Sequence, residues 1–372
     1  MSGKSASAAS AASRRGLPLL AVCAAFLVFC AFSPTWASAA IKAGPPAAGG
    51  VYHSAHPDSG PLDDLVTAEG LSSFIGLSGK KIAWAFVGFH WGDDMRFPVE
   101  TCRALWREGV VPLVGMMPWR LPVQNAAESW YTMERIASGY FDGGLRRCAL
   151  DVKSLGFPIM MEFGPEANGS WFPWNGAWNG RDSDTYGEKG WPDGPERFRD
   201  AYRHVVEIFR EAGALDITWV FHIASDGRPK DLWNAARFYY PGDEWIDWLG
   251  ASVYGRLRGD GPAISFSDIM DKVYPGLAAL SPLNPIAVLE MGVSESTSHG
   301  DKPAWIRDAM ATVASGRYPR LKAVAWWDKK RRQDGSPSTL EIDSSQRSLS
   351  AYREGVKNFV EEISWTEKLL PK

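Results

Sequence analysis

The sequence predicts a (β/α)8 barrel, an α/β fold of eight parallel strands that alternate with helices. Short apolar segments and amphipathic segments alternate eight times over ~300 residues, the usual size range of this barrel. Several apolar segments are too continuously hydrophobic to have one face in water, as expected for strands covered on both sides. The alternative, an open doubly wound sheet, usually has fewer strands and often a glycine-rich phosphate loop near its start. No G-x-G-x-x-G or G-K-[ST] motif follows any predicted strand, so we expect no nucleotide and no other cofactor.

The eight predicted strands follow one another through the chain. In order they are Val51-Tyr52-His53-Ser54, KIAWAFVGF from Lys81, VVPLVGMMPW from Val110, FPIMMEFG from Phe157, ITWVFHIA from Ile217, WIDWLGASVYG from Trp245, PIAVLEMGV from Pro285 and LKAVAWWD from Leu321.

Helical patterns lie between these strands. Three of them are PVETCRALWREG, GPERFRDAYRHVVEIFREAG and KPAWIRDAMATVASG. Each opens near Pro or Gly and closes at a Gly, the usual punctuation of a helix in an α/β protein. The loops after the fourth and eighth strands are predicted to be the long ones.

Residues 1–39 read as a signal peptide. Basic residues come first, an apolar stretch runs from Leu17 to Phe32, and Ala37-Ser38-Ala39 offers small residues for cleavage. A membrane anchor is the alternative, but about 16 apolar residues are short for a ~30 Å hydrocarbon core. We therefore expect a secreted or periplasmic protein that starts near Ala40 and is free of the membrane. Residues 40–50 are predicted as a linker, and residues 51–372 as one catalytic domain.

The charges and the tryptophans set limits on the partner. The chain has 40 Lys plus Arg and 43 Asp plus Glu, a formal charge of −3, so neither sign dominates. This balance argues against a protein that binds nucleic acid or a membrane surface by charge. The 18 Trp residues exceed what a core needs and predict a surface for flat, amphipathic ligands.

Cysteines and histidines give no convincing metal site. Of four Cys, Cys102 and Cys148 remain after the leader; they either form a disulfide between the helices that follow the second and third strands or are two separate buried thiols. Two Cys cannot make a thiolate zinc site, and His53 and His56 lack a third ligand at a suitable interval. We expect no metal.

Two carboxylates stand at strand ends, where active sites of such barrels lie. Glu166 follows the fourth strand and Glu290 ends the seventh. A lone buried carboxylate is costly, and each Glu alone can be explained by a structural partner. Two of them across one barrel mouth favour a function, and paired carboxylates are what glycosidic bond cleavage requires.

The residues around these carboxylates suit a sugar. Tyr254 ends the sixth strand, where it can hydrogen-bond the nucleophile. An indole plane can cover the axial C–H face of a pyranose, and the tryptophans expected to do so are Trp171, Trp174, Trp326 and Trp327. We also expect Asn168 and His222 to bind substrate.

At this point the chain resembles glycoside hydrolase family 26, a family of retaining β-glycanases. The matching segments are FGPEANGSWFPWNG, AYRHVVEIFR, TWVFHI, YYPGDEWIDWLGASVYG, IAVLEMG and the Trp pair before Asp328. The resemblance implies that Glu166 is the acid/base and Glu290 the nucleophile. It also implies that Tyr254 is the hydrogen-bond partner of Glu290 and that Trp326 is a platform for the sugar being cleaved.

Two segments depart from the mannan-cleaving members. Those members usually have His immediately before the acid/base, where this chain has Pro165. They also tend to have a Ser-Trp-His segment that ends the third strand, where this chain reads GMMPWR from Gly115 to Arg120. These departures argue against mannan as the substrate more than they argue against cleavage of a glycosidic bond.

The sequence thus predicts an exported, monomeric, retaining glycoside hydrolase that acts on a polysaccharide or oligosaccharide, with β-mannan as the expected substrate. A β-1,3/1,4-glucanase or β-xylanase of the same family is one alternative. A carbohydrate-binding barrel without turnover is another. A deacetylase would need a metal triad or Ser nucleophile that the sequence does not offer.

Overall fold

Eight parallel strands close into a barrel in chain order, as the sequence predicts. The computed structural model describes residues 39–58, 66–257, 264–295, 301–333 and 336–370. The predicted signal peptide lies outside these residues, apart from Ala39. Among the helices in these ranges, none is long and apolar enough to cross a bilayer.

The barrel strands are β2 to β9. Their bounds are Tyr52–His56, Trp84–His90, Val111–Met117, Ile159–Phe163, Ile217–Ala224, Trp248–Tyr254, Ile286–Gly292 and Leu321–Trp327. Four further strands lie outside the barrel: β1 (Ala39–Gly44), β10 (Lys330–Gln333), β11 (Ser336–Thr339) and β12 (Ser364–Leu369).

Nine helices, α1 to α9, fall within the described ranges. They span Ala68–Ser78, Val99–Arg107, Met133–Ala137, Asp142–Leu155, Asp193–Glu211, Ala236–Tyr239, Phe266–Leu280, Lys302–Ala314 and Gln346–Val356. The amphipathic α5, for example, buries Phe198, Tyr202 and Phe209.

The interior of the barrel is packed with side chains from alternate strand positions. At the end where the strands begin, Tyr52 and Trp84 meet edge to face with ring centroids 6.0 Å apart, and Trp84 meets Trp248 at 6.2 Å. One layer higher, a Cβ at Gly115 would lie 2.5 Å from the Phe86 ring, so only glycine leaves room for that ring. These aromatic layers fill the barrel below its mouth.

A two-stranded antiparallel ribbon, β1 with β12, covers the end where the barrel strands begin. Ala39 pairs with Leu369 and Gly44 with Ser364. The buried ammonium of Lys42 donates to the carbonyls of Leu215 and Ile217 at the start of β6. The structure therefore differs from the linker predicted for residues 40–50, because its first half is a strand with hydrogen-bond partners.

The two cysteines are free thiols, so the disulfide alternative is wrong. Both are fully buried, Cys102 on α2 and Cys148 on α4, and the Cys148 thiol donates to the Met95 carbonyl at 3.2 Å. Burial raises the pKa of each thiol to about 12. The pair is therefore two inert core residues.

Candidate active site

Glu166 stands in a sharp turn directly after β5. Gly164 and Glu166 both have positive φ, 57° and 52°, a region that non-glycine residues rarely adopt. A Cβ at position 164 would lie 2.7 Å from Phe198 and 2.9 Å from Trp174, so this position has no room for a side chain. The turn lifts the half-buried Glu166 carboxyl out of the strand at the barrel mouth.

The Glu166 carboxyl is held by an indole from its own loop. Nε1 of Trp171 donates to Oε2 of Glu166 at 2.7 Å. This reach depends on Gly169, because a Cβ there would lie 2.4 Å from the Trp171 ring. The hydrogen bond occupies one carboxyl oxygen and fixes the direction of the other.

Two residues predicted to bind substrate instead hold this loop in place. The Asn168 amide accepts from the Ala224 N–H at 2.7 Å and donates to the Ala224 carbonyl at 3.0 Å. The fully buried Trp174 donates to the Pro165 carbonyl at 2.8 Å and stacks on Phe172 at 4.4 Å. The structure therefore assigns both side chains to loop packing, because their polar atoms already have backbone partners.

Glu290 ends β8 beside Tyr254 of β7. The Tyr254 hydroxyl donates to Oε2 of Glu290 at 2.7 Å, and both side chains are half-buried. This is the contact that the sequence predicts for these two residues. A donor at this position stabilises the ionised carboxylate.

The prediction for Trp326 is wrong, whereas its neighbour Trp327 lies inside the barrel. The Trp326 indole packs edge to face against Trp305 of α8 and Tyr352 of α9, with centroids 6.2 and 5.4 Å away. Adjacent side chains on a strand point to opposite faces. Trp327 therefore points inward, where it stacks on His56 with centroids 4.1 Å apart.

The sequence analysis predicts that His222 binds substrate at the mouth, but the structure places it buried beneath the mouth. Its Nδ1 lies 2.9 Å from Oε2 of Glu162 and its Nε2 lies 2.8 Å from Oγ of Ser252. Burial lowers the pKa of the imidazole, but the charge and hydrogen bond of Glu162 outweigh it, and the charges of Glu290 and Glu166 act the same way. The pKa of His222 is raised to about 9.

Sequence reasoning missed Glu162 and Ser252. The available signal was a Glu inside the apolar run IMMEF and a His inside ITWVFHIA. A buried carboxylate needs a compensating partner, and a histidine on the adjacent strand is one.

The two histidines considered as metal ligands point to opposite sides of β2. His53 bonds the Lys81 carbonyl and the Tyr352 hydroxyl outside the barrel, and His56 stacks inside it. Within the described ranges no group of three or more His, Cys, Asp or Glu is arranged to hold a metal ion.

The sequence pattern of Glycosyl hydrolase family 26 matches residues 144–291, the stretch that runs from before Glu166 to just past Glu290. Over this stretch the chain is similar to glycosyl hydrolase family 26. Among curated proteins, the chain is similar to Endoglucanase H of Acetivibrio thermocellus, with 27% identity over 291 residues. The match covers 77% of the chain but 29% of the relative, so the chain spans under a third of that relative's length.

Solved structures match the barrel along most of the length of the chain. One is the catalytic domain of a GH26 endo-β-1,4-mannanase from Bacillus sp. JAMB-750, with a TM-score of 0.59, 15% identity and coverage of 83% of this chain and 86% of that chain. Another is a double mutant of the Cellulomonas fimi endo-β-1,4-mannanase, with a TM-score of 0.57, 16% identity and coverage of 83% and 71%. At these identities the likeness shows the fold.

Proposed function

We propose that the protein is an exported retaining glycoside hydrolase that cleaves a β-linked polysaccharide by double displacement. The observation that carries the proposal is the pair of strand-end carboxyls, each of which accepts a hydrogen bond from a nearby aromatic side chain. Glu290 accepts from the Tyr254 hydroxyl, and Glu166 accepts from the Trp171 indole. The family match and the relatives named above support the same chemistry.

In the first step Glu290 attacks the anomeric carbon and the glycosidic bond breaks. The electron pair of that bond goes to the leaving oxygen, which takes a proton from Glu166. The product is a glycosyl ester on Glu290, and Glu166 is left as a carboxylate.

In the second step Glu166 acts as a base. It removes a proton from water, the water oxygen bonds to the anomeric carbon, and the ester bond to Glu290 breaks. Two inversions restore the β configuration, and both carboxyls return to their starting states. This route requires carboxyl groups roughly 5–5.5 Å apart.

For the substrate we propose β-mannan first, with β-1,3/1,4-glucan and β-xylan as the alternatives within the family. The names of the relatives support both of the first two: the matched structures are endo-β-1,4-mannanases and the curated relative is an endoglucanase. Pro165, where mannan-cleaving members have His, favours testing the glucan alongside the mannan.

The test is hydrolysis of a panel of β-mannan, β-glucan and β-xylan by the wild type, Glu290→Ala and Glu166→Ala. Glu290→Ala should lose all turnover on the cleaved polymer. Glu166→Ala should fail on the polymer yet retain activity on an aryl glycoside with a good leaving group, because that group needs little protonation. Added azide should restore part of its rate and give a β-glycosyl azide.

The matched control is Glu367→Ala, which removes an exposed carboxylate on β12 and should leave every rate unchanged. Turnover by Glu290→Ala, or an α-glycosyl azide, would contradict the retaining mechanism. A wild type that binds the polymers in affinity electrophoresis but hydrolyses none of them would instead identify the non-catalytic binding barrel.

Export is a separate part of the proposal, supported by the basic start, the apolar stretch and the small residues at positions 37–39. N-terminal sequencing of exported protein should find a start near Ala40. A mature chain that retains residues 17–32 would indicate an anchored protein.

A further inference from the structure

A buried chain of polar side chains crosses the barrel beneath the two carboxyls. It joins Glu162 of β5 to His222 of β6 and His222 to Ser252 of β7, at 2.9 and 2.8 Å. The three residues are 1%, 3% and 2% exposed, so neither bond is open to water.

The strand register places each of these polar residues nearer to the barrel mouth than the one before, and the last of them lies beside Glu290. Glu162 is the Cα partner of Val220, and His222 lies two residues further along β6. His222 is the partner of Gly250, and Ser252 lies two residues further along β7. Ser252 is in turn the partner of Glu290 on β8, so the chain ends next to the proposed nucleophile.

The chemistry of the pair decides where the protons are. An ionised carboxylate only accepts hydrogen bonds, so Nδ1 of His222 donates to Glu162. Oε1 of Glu162 is buried and has no hydrogen-bond partner among the described residues, so His222 is the partner that compensates the charge. A neutral imidazole would leave the carboxylate uncompensated in the interior, which is costly.

We propose that Glu162 holds His222 as a cation beneath the active site, and that this cation positions Glu290 and favours its ionised form. His222 is thus a positioning residue that acts through Ser252 and through its charge. This inference rests on the proposed role of Glu290 as nucleophile.

The charges around His222 agree with this arrangement. The carboxylates of Glu162, Glu290 and Glu166 all raise its pKa, to about 9, against the opposing effect of burial. The imidazolium therefore persists across the neutral range and is lost only as the pH rises through about 9.

The first test reads the proton on His222 directly. NMR of protein with isotope-labelled imidazole rings should show one of the six histidines doubly protonated at pH 8, and that signal should be missing in His222→Gln. In Glu162→Gln the signal should be absent from pH 8 down to the acidic limb of the activity profile, because burial then lowers the pKa of the imidazole without Glu162 to oppose it. A neutral His222 at pH 7 in the wild type would overturn the proposal, whether or not the protein hydrolyses any polymer.

The second test is the pH profile of kcat/KM. Loss of the cation disfavours the ionised nucleophile, so the acidic limb should move up by one unit or more in His222→Gln and in Glu162→Gln. The direction in Glu162→Gln is diagnostic. Removal of a negative charge alone would move the limb down, whereas loss of the proton on His222 moves it up.

His53→Gln is the matched control. It also removes a buried histidine with two hydrogen-bond partners, but on the outer side of β2. It should lower the unfolding temperature without moving the limb. If His222→Gln behaves in the same way, with an unmoved limb, its role is only structural and the proposal is wrong. A wild type inactive on every polymer would refute the proposed hydrolase, and the NMR result would still decide the state of His222.

Discussion

Glu166 has a backbone conformation that costs free energy, of the order of 1–3 kcal/mol for a non-glycine residue with positive φ. Its φ is 52°. The surrounding loop holds this conformation through the Trp174 bond to the Pro165 carbonyl and the two Asn168 bonds to Ala224. The backbone thus fixes the direction of the Glu166 side chain, and the hydrogen bond from Trp171 fixes the orientation of its carboxyl group.

Trp171→Phe should weaken the acid/base step while leaving the fold intact. It removes the indole donor to Glu166, and a hydrogen bond to a charged group contributes about 1.5–3 kcal/mol. We expect kcat on the polymer to fall by about tenfold to a hundredfold. The rate on an activated aryl glycoside should change little.

Trp178→Phe is the control for this change. Its indole donates to the Ser170 carbonyl in the same loop and not to Glu166, so both rates should stay near those of the wild type. An equal loss on both substrates in Trp171→Phe would indicate damaged sugar binding and contradict the acid/base interpretation.

For individual residues, the sequence predicts the contacts of a side chain well where its position at a strand end alone decides them. Glu290 and Tyr254 stand at predicted strand ends, and their contact follows from neighbouring strands. Trp326 and Trp327 are adjacent, so one had to point inward and the other outward. Because both residues are tryptophans, nothing in the residue types tells which of them points inward.

Among the elements, the segment that follows β9 is held by buried charges. The Lys302 ammonium at the start of α8 donates to the Thr339 and Glu341 carbonyls, both at 2.7 Å, and to the Ser344 hydroxyl at 2.8 Å. Asp328 accepts from the Ile342 N–H at 2.7 Å. These bonds fix the segment next to the inward-facing Trp327.

Asp328→Asn should stabilise the protein at neutral and higher pH. Burial raises the pKa of Asp328 to about 7 from an ordinary 3.8, so the folded state favours the protonated form. Stability from this group is therefore present below pH 4 and is lost as the pH rises to 7. Asparagine stays neutral and keeps an oxygen for the Ile342 N–H.

Melting curves at pH 4.5 and 8 measure this effect. The variant should melt several degrees above the wild type at pH 8, with a smaller difference at pH 4.5. Asp308→Asn, on the exposed face of α8, is the control and should change neither temperature. A variant that is less stable at pH 8 would mean that the charge of Asp328 is needed by its neighbours.

The sequence predicts the barrel strands because their apolar runs are long and continuous; ITWVFHIA, for example, coincides with β6. It did not predict β10 and β11, whose residues KRRQ and SPST have no apolar alternation. Likewise β1 gains its partners from β12, more than 300 residues away, and no local pattern reports that pairing.

At the scale of the whole molecule, the barrel separates two kinds of chemistry along its axis. Aromatic rings fill the end where the strands begin, and carboxyls and their donors occupy the mouth. The polar chain from Glu162 to Ser252 is the transition between them. Because a closed parallel barrel has no free strand edge, these layers are held by hydrogen bonds all the way round.

The antiparallel ribbon of β1 and β12 brings the two ends of the described chain side by side, with Ala39 opposite Leu369. A short peptide joining them would suit a circular permutant, opened at an exposed surface loop. The ribbon also lies at the opposite end of the barrel from Glu166 and Glu290. An affinity tag, a solid support or a fused module attached through this ribbon would therefore leave the mouth free for the polysaccharide that we propose as the substrate.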